Sequence, residues 1–95
     1  MLFVIIGRAK AGSTGKQRIA RRISWEYPAG IRVVAEYWPM TTDPAVISVA
    51  EADNIASIMG AIVDWDDVFD LTVVPAMTAE QGLELAKQMQ AGSSA

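Results

Sequence analysis

Apolar positions along the chain fall into seven segments, which read as β-α-β-β-α-β-α. Residues 1–7 (MLFVIIG) are apolar throughout and end in Gly, predicting a buried strand. Ser13 or Thr14 is placed to cap a helix in which Ile19, Ala20, Ile23 and Tyr27 recur at helical spacing. That stripe is expected to face the core, leaving Arg18, Arg21, Arg22 and Trp25 on other faces. Pro28-Ala29-Gly30 ends the helix. Residues 31–38 are β-branched and aromatic, hence a strand, and PMTTDP turns the chain into a second strand over 45–50. Asp53 or Asn54 caps a helix carrying Ile55, Ile58, Met59 and Ile62 on one stripe, closed by Trp65 and the acidic DWDD. Residues 68–74 form the fourth strand. Thr78 and Gln81 have capping-box spacing for a last helix to about Gln90, and 91–95 (AGSSA) reads as a flexible tail.

This order is the split βαβ, ferredoxin-like pattern: an α+β fold with an antiparallel four-stranded sheet, in one domain over residues 1–90. Both main helices of such a unit cover one face of the sheet, and the other face is ordinarily polar. Here the first strand is apolar on both faces. The fourth alternates Phe69, Leu71, Val73 with Val68, Asp70, Thr72, Val74. A second cover is therefore expected, and the economical one is a second copy of the chain, sheet face to sheet face, as a two-fold homodimer.

Composition narrows the chemistry. With no Cys and no His among 95 residues, disulfides, Cys/His zinc sites, His-ligated haem and imidazole acid-base catalysis are excluded. No apolar run approaches a membrane span, so a cytoplasmic protein without membrane association is expected. The net charge of −3 conceals a split: residues 1–32 hold seven of the eight basic groups and one acid, Glu26.

The stretch FVIIGRAKAGSTGKQRIA has the order of parts of a phosphate-binding loop, but no register supplies G-x-x-x-x-G-K-[ST]. Aligning on Gly15-Lys16 puts Lys10 at the first glycine and Gln17 at the hydroxyl. Nucleotide hydrolysis is rejected, and what survives is an anion site at the helix start beside Lys10 and Lys16. Lys16, Arg18, Arg21 and Arg22 give the first helix a basic face. The chain is acidic overall and lacks aromatic interleaving, so nucleic acid is not the expected partner. Asp64, Asp66, Asp67 and Asp70 lack the spacing and glycine of a calcium loop, and no metal is expected.

By strand parity, Arg32, Glu36 and Trp38 share a side of the second strand, with Ser48, Asp70 and Thr72 at matching positions on the third and fourth. Tyr37 adjoins them. On the face away from the helices, these groups would line a small-molecule pocket between sheet and partner, with Glu36 or Asp70 raised in pKa as acid or base. They equally fit a plainer arrangement in which Arg32 and Glu36 pair across the dimer or reach solvent.

Pro28 and Gly30 before the second strand, Tyr37-Trp38 at its end, Glu51-Ala52-Asp53, Trp65 and Pro75 together resemble a family of short proteins known as a domain of unknown function, number 3303. The resemblance covers nearly all of residues 1–90 and implies a dimeric ferredoxin-like α/β barrel. The wider superfamily includes cofactor-free monooxygenases, lactone isomerases, haem-degrading enzymes and ligand-sensing domains, and the missing His argues against the haem group. The function expected is a homodimer binding a small hydrophobic or aromatic molecule without a cofactor, in a pocket between helix layer and sheet or between the two sheets, with oxygenation or isomerisation as its chemistry if it has any. The alternative is a non-catalytic dimerisation or regulatory module whose basic first helix meets an anionic partner.

Overall fold

Side chains that alternate along β1 set the whole arrangement. A computed structural model describes residues 1–93. It has the elements β1 (Leu2–Ala9), α1 (Gly15–Ser24), β2 (Ile31–Tyr37), β3 (Val46–Ala52), α2 (Ile55–Trp65), β4 (Phe69–Ala76) and α3 (Ala79–Ser93). The sheet is antiparallel throughout, in the order β2-β3-β1-β4. β1 therefore lies centrally, and its odd positions, Phe3, Ile5 and Gly7, are buried beneath the helices. Adding a Cβ to Gly7 would bring it to 2.6 Å from Val46 Cγ1, so the closest approach of β1 and β3 side chains requires glycine there.

Two apolar clusters form the core. Phe3, Ile5, Ala52 and Ile58 make one, and Trp65, Val68 and Phe69 make the other; Leu71 packs against both. α2 supplies Ile58 and Trp65 to these clusters and buries Ala61 between them in sequence, while Ile55 and Met59 are exposed. Its buried stripe is thus rotated from the expected one, because Trp65 is drawn under the sheet as its anchor. Asn54 is the N-cap, accepting from the Ala56 amide at 3.0 Å.

α1 departs further from expectation. None of its residues is buried, and Ile23 is 80% exposed. Thr14 and Gln17 form a capping box, with Thr14 Oγ1 accepting from the Gln17 amide at 3.1 Å and Gln17 Oε1 from the Thr14 amide at 3.0 Å. Gly12 adopts φ +90, the left-handed turn that lets the β1–α1 connection fold back. The face that α1 turns to the sheet carries Gly15, Arg18, Ile19 and Arg22. Two arginines thus look inward beside Ile19 and Tyr27 of the expected stripe, while Ala20 and Ile23 of that stripe are exposed.

The capping box of Thr78 and Gln81 is present at the start of α3, with both hydrogen bonds at 3.0 Å. α3 continues to Ser93, beyond the expected end; residues 94–95 of the expected tail lie outside the described residues. From Ala79 to Gly92 every α3 residue except Gly82 is exposed. The helix stands off the body, giving a molecule of 57 × 28 × 17 Å.

Candidate functional site

A helix that turns arginines toward an apolar sheet leaves space beneath it. Between α1, α2 and the sheet lies a cavity of about 290 Å³. Ile5, Ser48, Phe69 and Leu71 form its floor, Ala61, Ile62 and Trp65 one wall, and Arg18, Ile19 and Arg22 its roof. Trp25 and Tyr27, from the segment after α1, and Trp38, from the end of β2, complete it. All three tryptophans of the chain line this cavity. Trp25 packs on Tyr27 at a centroid distance of 4.6 Å and on Trp65 at 5.5 Å, and Trp65 packs on Phe69 at 5.6 Å. Tilted and edge-to-face pairs of this kind hold their rings in fixed orientations.

One polar relay crosses the apolar lining. Glu36 Oε1 accepts from Arg22 Nη2 at 3.0 Å and from Tyr27 Oη at 2.8 Å. Glu36 Oε2 accepts from Arg22 Nε at 3.1 Å and Trp38 Nε1 at 2.7 Å. The single Tyr27 proton goes to Glu36, so in its 2.9 Å contact with Ser48 the serine hydroxyl donates. Ser48, only 3% exposed, is thereby satisfied. Burial alone would raise the Glu36 pKa. The hydrogen bonds from Arg22, Trp38 and Tyr27, with the Arg22 charge, outweigh it and hold the carboxyl below its ordinary value. Burial pushes the Tyr27 hydroxyl up to about 12, the donation to Glu36 adding to it and the Ser48 contact opposing it. The Arg22 guanidinium, raised chiefly by its hydrogen bonds to Glu36, lies 5.5 Å from the centroids of both Trp25 and Tyr27.

These facts correct the expected site in two ways. The residues expected to share one face are divided between both. Glu36 pairs with Ser48 on the helix-covered face, with Trp38 bonded to it. Arg32 pairs with Glu51, Tyr37 with Ile47, Asp70 with Arg8 and Thr72 with Ile6, all on the opposite face. The cause is a bulge: the register passes from Val33↔Ala50 directly to Ala35↔Val49, so Val34 is an extra residue and parity reverses after it. Second, Glu36 is lowered in pKa rather than raised. Four donors occupy its oxygens, which makes it an anchor for Arg22, Tyr27 and Trp38 rather than a proton-transfer group.

Elsewhere the expected charges are engaged within the chain. Lys10 Nζ lies 3.9 Å from Asp70 Oδ1, and nothing among the described residues joins it to the exposed Lys16. The capping box already takes the Gln17 amide at the start of α1. The acidic end of α2 clasps α1: Arg21 makes a bidentate pair with Asp67 at 2.7 and 2.8 Å and also donates to the Asp64 carbonyl. Trp25 Nε1 donates to the Asp64 carboxylate at 2.8 Å. Arg32 pairs with Glu51 across the hairpin.

Sequence reasoning missed Arg18, Arg22, Trp25 and Tyr27 as lining residues. Their signal was the run RIARRISWEY, with arginines four apart leading into two aromatics, the order that lets guanidinium planes lie over rings.

A family described as a domain of unknown function (DUF3303) matches residues 1–90. The chain belongs to this family. No curated protein and no solved structure matches it. Of the features that carried the resemblance to DUF3303, Trp38 and Trp65 line the cavity, Pro75 lies in β4 and Gly30 takes φ +91 ahead of β2. Among the described residues of this DUF3303 chain, no three carboxylates gather as a metal-binding group, and no helix is long and apolar enough to cross a membrane.

Proposed function

We propose that this DUF3303 protein is a homodimeric small-molecule carrier or sensor that takes an apolar, aromatic compound in the cavity beneath α1. The observation that carries the reading is the cavity itself: about 290 Å³, near the lower end of ligand sites, walled by three tryptophans, Tyr27 and Phe69 and crossed by one satisfied polar relay. Rigid aromatic walls favour flat apolar ligands. The relay fixes those walls before a ligand arrives, which reduces the ordering that binding would otherwise require. Binding is favoured over oxygenation or isomerisation because the one carboxylate at the cavity is held ionised by four donors. The alternative, a basic first helix meeting an anionic partner, has less support, since Arg21 and Arg22 are engaged with Asp67 and Glu36.

The three indole N–H groups report on occupancy directly. Titration with neutral mono- and bicyclic aromatic compounds is expected to give saturable shifts of the tryptophan indole resonances in a nitrogen–proton correlation spectrum. Shifts that remain absent or non-saturating up to the solubility limit of every compound overturn the reading.

A further inference from the structure

The charges at the cavity do not balance, and the imbalance has a location. Arg18 and Arg22 bring two guanidinium groups to its roof, whereas Glu36 brings one carboxylate. Glu36 is fully claimed, by Arg22 through two hydrogen bonds and by Tyr27 and Trp38 through one each. Arg18 is left with a neutral partner. Its Nη1 donates to Ser13 Oγ at 2.7 Å, and Ser13 in turn directs its hydroxyl toward the Lys10 and Val68 carbonyls. Of the three arginines of α1, Arg21 and Arg22 have carboxylates and Arg18 has none within ion-pair distance among the described residues. Its Nε and Nη2 meet no protein acceptor there either. The side chain is nonetheless half-buried and positioned, with its guanidinium 5.9 Å from the centroid of Phe69 on the cavity floor.

We infer that the ligand carries a carboxylate, that Arg18 is its counter-charge, and that the site is built for an aromatic acid rather than a neutral aromatic. The inference rests on the cavity being a ligand site, as proposed above. A guanidinium is a planar fork that meets a carboxylate in bidentate fashion, and it is more weakly hydrated than an ammonium, so it suits a partly apolar wall. Contact with Phe69 and the Ser13 bond hold two sides of that fork and leave the remaining donors for a ligand. The acid group lies toward the N-terminal end of α1, beside Gly15 and Arg18, where the helix dipole also favours negative charge. The ring system then points toward Trp65, Trp25 and Tyr27. This orientation keeps the ligand carboxylate at the Arg18 end and away from Glu36, whose charge would repel it.

The test compares matched carboxylates and primary amides carried on phenyl, indolyl and naphthyl bodies, with affinities measured by isothermal titration calorimetry. In the wild-type protein the acid of the best-binding body is expected to bind about tenfold or more tightly than its amide, because a charge-assisted pair replaces a neutral one. Arg18→Gln is expected to remove this preference by weakening the acid at least about tenfold more than the amide, and added salt is expected to weaken the acid more than the amide. Arg18→Lys, which keeps the charge without the fork, is expected to fall between. Tryptophan indole resonances that keep their wild-type dispersion without ligand show that each variant remains folded. Equal binding of acid and amide in the wild type overturns the inference and leaves the cavity reading standing. An acid preference that survives Arg18→Gln does the same. Failure of every acid and every amide to bind overturns both.

Discussion

Glu36 shows how one side chain organises this site. It lies opposite Ser48 in the sheet register, and its two oxygens receive Arg22 from α1, Tyr27 from the following segment and Trp38 from the end of β2. A carboxylate with this many donors is worth more ionised than protonated. Its folded-state pKa is lowered, so the stability it contributes is present in full above the ordinary carboxylate value of about 4.3 and is lost as pH falls through the lowered folded-state value. Glu36→Gln keeps the shape but removes the charge and turns an NH2 group toward donors. It is expected to lower stability by about 2 kcal/mol at neutral pH, the scale of hydrogen bonds to a charged group, as read from urea unfolding. The difference between wild type and variant is expected to narrow in acid. A variant as stable as wild type at neutral pH would show that the relay holds nothing together. Little of this was legible beforehand. Glu36 stands out in the sequence, but the parity that groups it with Arg32 and Asp70 fails at Val34, and IRVVAEY contains no glycine or other mark of a bulge.

At the level of elements, the order β-α-β-β-α-β-α and all three helix starts were readable, because capping side chains and strand composition act locally. Helix orientation was not, because it depends on what the opposite surface offers. For α1, periodicity selects Ile19, Ala20 and Ile23 for the core. Ile19 does line the cavity, but the sheet below also presents Phe69 and Glu36, and these attract Arg18 and Arg22. The bidentate pair of Arg21 with Asp67 then fixes the rotation from the side of α2. The two orientations predict opposite responses at one position. With Ile23 80% exposed, Ile23→Glu is expected to change stability by no more than about 0.5 kcal/mol. Ile58→Ala, which empties a fully buried position on α2, is expected to lower it by about 2–5 kcal/mol. Equilibrium unfolding of the two variants decides the matter, and a loss at Ile23 comparable to that at Ile58 would return α1 to its apolar-stripe orientation.

At the scale of the whole molecule, no helix among the described residues packs on the second face of the sheet. Val4 lies between Val49 and Val74, and Ile6 between Ile47 and Thr72, in one apolar patch opposite the helices. α3 likewise stands away from the body, with Leu83 63% and Met89 66% exposed. A chain of this size has too small a core to leave such a surface wet without loss of stability. A second copy placed sheet to sheet would cover it, since a two-fold axis brings each patch against its own image. Arg8, Arg32, Glu51 and Asp70 share this face, so charges of both signs are available around the apolar patch. That patch is separate from the cavity, which opens on the helix side, so assembly and ligand binding can be broken independently. Sedimentation equilibrium is expected to return twice the 10.2 kDa chain mass, with a Tm that rises with protein concentration. Ile6→Glu, at the centre of the patch, is expected to give a monomer of lower stability that still shows the tryptophan resonance shifts on titration with an aromatic ligand. A wild-type protein that sediments as a monomer at all concentrations would remove the dimer while leaving the cavity untouched. Loss of ligand binding together with the dimer would instead mean that the sheet-to-sheet contact holds β3 and Ser48, and through them Tyr27 and Glu36, in the arrangement the cavity needs.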